Sequence, residues 1–137
     1  MITSLLTAVQ DKLTTVESLR YVGEDRRQFN HDAASLQFPC ALINIGGFEF
    51  EQVSSFSQKV KGEVCVTVAD WPETAPSEQG ETAFALFDVV LDVQKAIHGL
   101  EIPGCEPLVR KSIQPIQRND AIREYKITFA SAFRYED

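Results

Sequence analysis

The sequence predicts one α+β domain, residues 1–137, with two helices packed on one face of an antiparallel, at most mixed, sheet of about five strands. Two segments carry apolar residues at three- and four-residue steps, the period of an amphipathic helix. Several others alternate apolar and polar residues, the period of a strand with one buried face. The expected order is α-β-β-β-α-β-β, without the strand-helix-strand repetition that builds parallel sheets.

Composition and charge narrow the range of partners. Hydrophobic residues make up 44% of the chain and charged residues 24%, as in ordinary globular proteins. The net charge of −7 repels phosphate, so we expect no sequence-specific nucleic acid partner. The longest nearly apolar stretch, 83–93, is shorter than the roughly 20 residues that cross a bilayer, so no membrane partner is expected. The opening residues lack the features of a secretory signal, which predicts a cytosolic origin.

The first half of the chain predicts a helix followed by three strands. The helix ends before Gly23, and its apolar positions are Ile2, Leu5, Leu6, Val9, Leu13 and Val16. Tyr21 and Val22 form a short extended piece before a surface loop over 24–35. A central strand runs over 40–45, and Gly46-Gly47 is expected to turn it into a second strand over 48–56. Val60, Val64, Val66 and Val68 define the buried face of a third strand.

The second half predicts a helix and two more strands. A loop over 70–78 contains Pro72 and Pro76, and the helix is expected to begin between 77 and 82 and to end at Gly99. Its apolar side is expected to consist of Phe84, Phe87, Val90, Leu91 and Ile97. A strand over 108–116 contains Pro115, which favours a sheet edge or a bulge. The last strand alternates through Tyr125, Ile127, Phe129 and Phe133.

Few residues suggest a catalytic, metal-binding or cofactor-binding role. Cys40 with His31 and Asp32 has the residue types of a thiol nucleophile, but a cysteine that opens an apolar strand is typical of core packing. Asp88 and Asp92 lie one helical turn apart, which fits acid-base chemistry or, more simply, a solvated helix face. The three cysteines have unrelated spacings and indicate reduced thiols. We expect no catalytic, metal-binding or cofactor-binding residues, because phosphate-loop, zinc and nucleophile-elbow motifs are absent.

Charged pairs on strands suggest surfaces instead. Glu49 and Glu51 share the face of their strand opposite the phenylalanines, where they either meet solvent or pair with Lys or Arg of a neighbouring subunit. Arg110 and Lys111 are adjacent and could form a local basic patch in an otherwise acidic chain.

Five segments carry a resemblance to the tail-terminator and related neck (head–tail joining) proteins of tailed phages and prophages: MITSLLTAVQDKL, FPCALINI, KGEVCVTVAD, FALFDVVLDVQKAIHGL and EYKITFASAF. The resemblance covers nearly the whole chain and lies in element order and hydrophobic pattern. It implies a subunit that forms a ring, usually a hexamer, caps the tail tube protein and binds the head-completion (neck) protein. It also implies a structural protein, not an enzyme, found in the bacterial cytoplasm during assembly and then in the virion tail.

A ring requires one patch of the chain to meet a different patch of the next copy. Arg26 and Arg27, with Phe29 beside them, are expected to meet an acidic patch, and Trp71 either caps the core or anchors a contact. The predicted interface residues are Arg26, Arg27, Phe29, Trp71, Glu73, Glu78 and Glu81.

Two other classes of function stay open from the residues alone. A ligand-binding or regulatory module of ferredoxin-like appearance would need an apolar pocket with a few convergent polar groups. A small enzyme using Cys40 or the aspartate pair would show a strongly perturbed pKa inside a cleft.

Overall fold

A computed structural model describes residues 2–71 and 85–136 of the chain, the last two by backbone only. They form a five-stranded mixed sheet in the order β1-β2-β3-β5-β4. The strands are β1 (Tyr21–Glu24), β2 (Cys40–Gln52), β3 (Ser57–Asp70), β4 (Val109–Pro115) and β5 (Arg123–Glu136). Among these described strands, only β1 and β2 pair in parallel. The predicted α+β class is confirmed, as is the edge position of the strand containing Pro115.

The described residues contain three helices, α1 (Ile2–Leu13), α2 (Gln28–His31) and α3 (Ala85–Ile97), and a 3-10 turn at Ala33–Ser35. Helices α1 and α3 share a core with one face of the sheet. The helix layer contributes Leu5, Val9, Leu13, Leu86, Val90, Val93 and Ile97 to this core. The sheet contributes Ala41, Ile43, Val64, Val66, Val68, Ile127 and Phe129. The prediction that two helices pack on one face of the sheet is therefore confirmed.

The expected apolar side of α3 is partly wrong. Leu86 and Val93 are buried, whereas Phe87 and Leu91 are 41% and 40% exposed. Residues 86, 90, 93 and 97 follow steps of four, three and four, which is the stripe that meets the sheet. Phe87 lies beside that stripe, with its ring edge-on to Tyr125 at 5.8 Å. Phe84 and the predicted start of the helix lie outside the described residues.

The predicted hairpin at Gly46-Gly47 is also wrong. Strand β2 continues through the two glycines with a bulge between Ile45 and Gly47, and the chain reverses later, where the Val53 N–H donates to the Ser57 carbonyl at 3.1 Å. Gly47 has φ +139°, a conformation that lets a glycine form a bulge without ending the strand. The three strands before α3 are therefore β1, β2 and β3, and the extended piece at Tyr21 is the first of them.

The opposite face of the sheet has a smaller core of its own. Phe29 and Ile122 pack there on Cys40, Leu42 and Ala69. The segment 25–39, which contains α2 and the 3-10 turn, covers this part of the sheet. The predicted surface loop over 24–35 is mostly exposed, but it contains α2 and the 3-10 turn and buries Gln28 and Phe29, since burying the Phe29 ring removes apolar area from water.

Candidate interaction surfaces

Strands β2, β3 and β5 extend beyond the helix layer, and the β2–β3 hairpin over 44–58 is called the arm here. Phe56, at its turn, is 77% exposed, and Val53 is 48% exposed. Phe50 and Ile45 are 57% and 38% exposed on β2. A concentration of exposed apolar side chains on one projecting element is typical of an interaction site.

The arm face opposite the helix layer is charged. Across the strands, Glu49 lies opposite Lys61 and Glu51 lies opposite Lys59. Salt bridges join Lys59 to Glu106 at 3.6 Å and Lys111 to Glu63 at 3.3 Å. All of these residues except Glu51 line an open depression of about 700 Å³. Its charged lining differs from the apolar pockets that usually hold small ligands.

Arg118 fastens segment 25–39 to the sheet. Its side chain, 10% exposed, donates to the Phe29 carbonyl at 2.9 Å and to Glu124 Oε1 at 2.6 Å. It also donates to both carboxylate oxygens of Asp120, at 2.9 and 2.8 Å. The hydrogen bond from Arg118 is the main cause that lowers the pKa of Asp120. The sequence feature that could have indicated this role is an arginine followed by two nearby carboxylates, Asp120 and Glu124.

The predicted basic patch lies on segment 25–39. Arg26 and Arg27 are both exposed, and the Arg27 N–H donates to Asp25 Oδ1 at 2.8 Å. Phe29, expected beside them on the surface, is 5% exposed and belongs to the core, so it is corrected to a packing residue.

Of the other predicted interface residues, Trp71 lies within the described part of the chain and packs against segment 25–39. Trp71 is 38% exposed, and its ring meets Phe38 edge-on at 6.0 Å. The acidic patch of Glu73, Glu78 and Glu81 lies outside the described residues. The predicted pairing of arginines with this patch stays a prediction.

The structure does not support Cys40 as a catalytic nucleophile. Cys40 is fully buried, and burial raises its pKa to about 12, so the reactive thiolate is not populated near neutral pH. His31 and Asp32 are exposed on segment 25–39. Asp92, on the exposed face of α3, accepts a hydrogen bond from the Ser18 hydroxyl at 3.4 Å. The described residues contain no group of three side chains suited to a metal, and none of their helices is long and apolar enough to span a membrane.

Comparisons with known proteins identify a shared fold. No protein-family model and no curated protein matches the chain. Among solved structures, a chain of the structure titled "Virion of native gene transfer agent (GTA) particle" is similar, with a TM-score of 0.55 and 10% sequence identity. The match covers 93% of this chain and 84% of that one. This chain therefore shares its overall fold with a chain of that virion structure.

Proposed function

We propose that this chain is a structural protein of a phage-like particle, which forms a ring on the end of the tail tube and joins it to the head-completion complex. The observation that carries the proposal is the fold match to a virion subunit over 93% of the chain. The element order and hydrophobic pattern that resemble tail-terminator proteins support the finer assignment. The proposed partners are further copies of the chain, the tail tube protein and the head-completion protein.

The distribution of stability and surface fits this role. The helix layer and the middle of the sheet hold the buried core, with Val9, Val66 and Phe129 fully or almost fully shielded from solvent. The arm extends beyond that core and exposes Val53 and Phe56. A rigid base with projecting apolar side chains is suited to docking on neighbouring subunits.

Capping of a tube follows from two unlike ring faces. If one face matches the last ring of tube protein and the other does not, no further tube subunit can add. The head-completion protein then binds the second face. The proposed role requires positioning and contact area, not catalysis, and places the protein in the bacterial cytoplasm during assembly and in the virion tail afterwards.

The proposal is tested in a host that produces the particle. Deletion of the gene should give tail tubes of uncontrolled length without attached heads in electron micrographs, and the wild-type gene supplied in trans should restore normal particles. Mass spectrometry of purified particles should find the chain as a component of the tail. Normal particles from the deletion strain, or particles that lack the chain, would contradict the proposed function.

A further inference from the structure

Strand β2 has an open edge beyond the end of β1. Strand β1 pairs with β2 over Cys40–Ile43, and the Asp25 N–H, just after β1, donates to the Ile43 carbonyl at 2.8 Å. From Asn44 to Glu49, the described strands flank β2 on one side only, through β3. This stretch, called the open edge here, presents backbone hydrogen-bonding groups to an additional strand.

The hydrogen bonds show which residues face the open side. Along a strand, the backbone groups of successive residues point alternately to the two neighbouring strands. Because the Ile43 carbonyl points to the β1 side, the backbone of Ile45 points to the same side, past the end of β1. After the bulge, the Val53 N–H donates to the Ser57 carbonyl on the β3 side, so the same alternation turns the backbone of Phe48 to the open side. An added strand can therefore hydrogen-bond to Ile45 and Phe48.

A groove of about 310 Å³ lies beside the open edge, between α1 and β2. Its lining is partly apolar and partly polar, and consists of Leu6, Ile43, Ile45, Thr3, Thr7, Gln10, Asn44 and Glu24. Glu24 is exposed, and its described side-chain partner, Gln28, donates to the Glu24 backbone carbonyl, which leaves the carboxylate available. An apolar wall beside a carboxylate suits a basic side chain, because the aliphatic stem packs on the wall while the cation meets the carboxylate.

The outer edge of β4, at the other side of the sheet, is protected against strand addition. The Ile116 N–H donates to the Glu124 carbonyl at 2.9 Å, on the β5 side, so the backbone of Pro115 faces outward. Proline has no N–H, so this edge lacks a donor at that position. Residues 44–49 contain no proline. Addition of a strand is therefore less hindered at the open edge of β2 than at β4.

We propose that the open edge binds an extended segment of a partner protein, which pairs with Ile45 and Phe48 and places an arginine or lysine side chain in the groove at Glu24. In this mode of recognition, main-chain hydrogen bonds give affinity and a pocket for a side chain gives specificity. The inference goes beyond the virion role and does not depend on it.

Several features favour a different protein over a second copy as the source of this segment. Residues 44–49 contain no cation, so two open edges brought together would supply no basic side chain to Glu24. Strand β4 carries Arg110, but its outer edge lacks the donor at Pro115. The net charge of −7 also opposes the approach of two copies.

A short synthetic peptide tests the site. The peptide is capped at both ends and carries a central arginine flanked by alternating threonine and valine, which favour an extended chain. Titrated into the isotope-labelled protein, it should shift the amide resonances of Ile45 and Phe48 in nuclear magnetic resonance spectra. The same peptide with citrulline, the neutral analogue of arginine, should bind about fivefold more weakly, the effect of a partly exposed ion pair.

Two further comparisons separate the groove from the strand pairing. Glu24→Gln should weaken the arginine peptide by the same factor and leave the citrulline peptide unchanged, whereas Glu101→Gln, at an exposed glutamate outside the groove, should leave both unchanged. Two peptides with methyl groups on alternate backbone amides should differ, because only one of them loses the donors that face β2. Equal binding of these two methylated peptides would refute the strand pairing.

Three other outcomes would overturn the proposed site. The first is an absence of resonance shifts at Ile45 and Phe48 at the highest soluble peptide concentration. The second is equal binding of the arginine and citrulline peptides by the wild type. The third is self-association of the wild type that Glu24→Gln abolishes, since the groove would then hold a second copy. Absence of the chain from purified particles would refute the virion role and leave the peptide results unaffected.

Discussion

Replacing Arg118 with methionine should loosen segment 25–39 from the sheet. The guanidinium of Arg118 donates to the Phe29 carbonyl, to Glu124 and to Asp120, all within 2.6–2.9 Å. Methionine retains much of the apolar stem and removes all five donors. The Phe29 carbonyl and the Glu124 carboxylate, which is 13% exposed, then lose these hydrogen bonds.

The expected cost is about 2 to 4 kcal/mol in the free energy of unfolding. A hydrogen bond to a charged group contributes about 1.5–3 kcal/mol, and a buried ion pair broken on one side costs about 3–5 kcal/mol. The bridge to Asp120, whose side chain is 44% exposed, adds little because solvent screens it. Because Arg118 and its partners are partly exposed, the expected loss of stability lies below the sum of these hydrogen-bond and ion-pair energies.

Urea unfolding followed by circular dichroism measures this cost. Arg118→Lys should fall between the wild type and the methionine variant, since lysine keeps the charge but not the planar fork. Arg20→Met, at an exposed arginine, serves as the control and should change stability little. A loss below about 0.5 kcal/mol for Arg118→Met, the range of ordinary surface substitutions, would refute the role of Arg118 as a clamp.

The pH dependence gives a second check on the same cluster. Arg118 lowers the folded-state pKa of Asp120 below its ordinary value of 3.8. A lowered carboxyl pKa stabilises the fold above the unfolded pKa, and this contribution disappears as the pH falls through the folded pKa. The difference in stability between wild type and Arg118→Met should therefore narrow below about pH 4. If the difference in stability stays constant below about pH 4, the contact between Arg118 and Asp120 does not contribute to stability.

Three further predictions concern buried positions. Cys40 should resist alkylation at pH 8 in the native protein and react after unfolding, as mass spectrometry can show, because burial keeps its pKa near 12. Gly62→Ala should destabilise the protein by about 1–3 kcal/mol in thermal unfolding, since the new Cβ meets the Phe48 ring, and Phe48→Ala should reduce that cost. Phe129→Ala, at a fully buried ring between the helices and the sheet, should cost about 3–5 kcal/mol in urea unfolding.

The sheet face that meets the helices was predictable, because its period-two pattern follows directly from packing on that face. The burial of Cys65, Thr67 and Ala69 on the other face of β3 does not follow from the same pattern. Val64, Val66 and Val68 are buried as their alternation predicts, and Ile127 and Phe129 follow the same rule on β5. The central strand β2 was harder to predict, because a Gly-Gly pair is as typical of a turn as of a bulge. In the structure, β2 pairs with β3 on both sides of the glycines, so the glycines form a bulge and not a turn. The local sequence contains no information about that pairing.

The interaction surfaces were only partly predictable for the same reason. Sequence identified Glu49, Glu51, Arg110 and Lys111 as charged residues on strands but could not predict that Glu49 and Lys111 line one depression, which depends on the strand order. It placed Phe29 on the surface because its neighbours are polar, whereas the tertiary fold turns the ring onto the sheet. Local periodicity reports which side of an element is buried, not which elements become neighbours.

The separation of core and arm explains how one small chain can be both stable and ready to assemble. Apolar side chains such as Val53 and Phe56 gain nothing from burial in the isolated subunit, so the helix layer and central sheet must supply its stability. The net charge of −7 makes separate copies repel each other at long range. Apolar area on the arm can then contribute affinity once the subunits meet in the assembly.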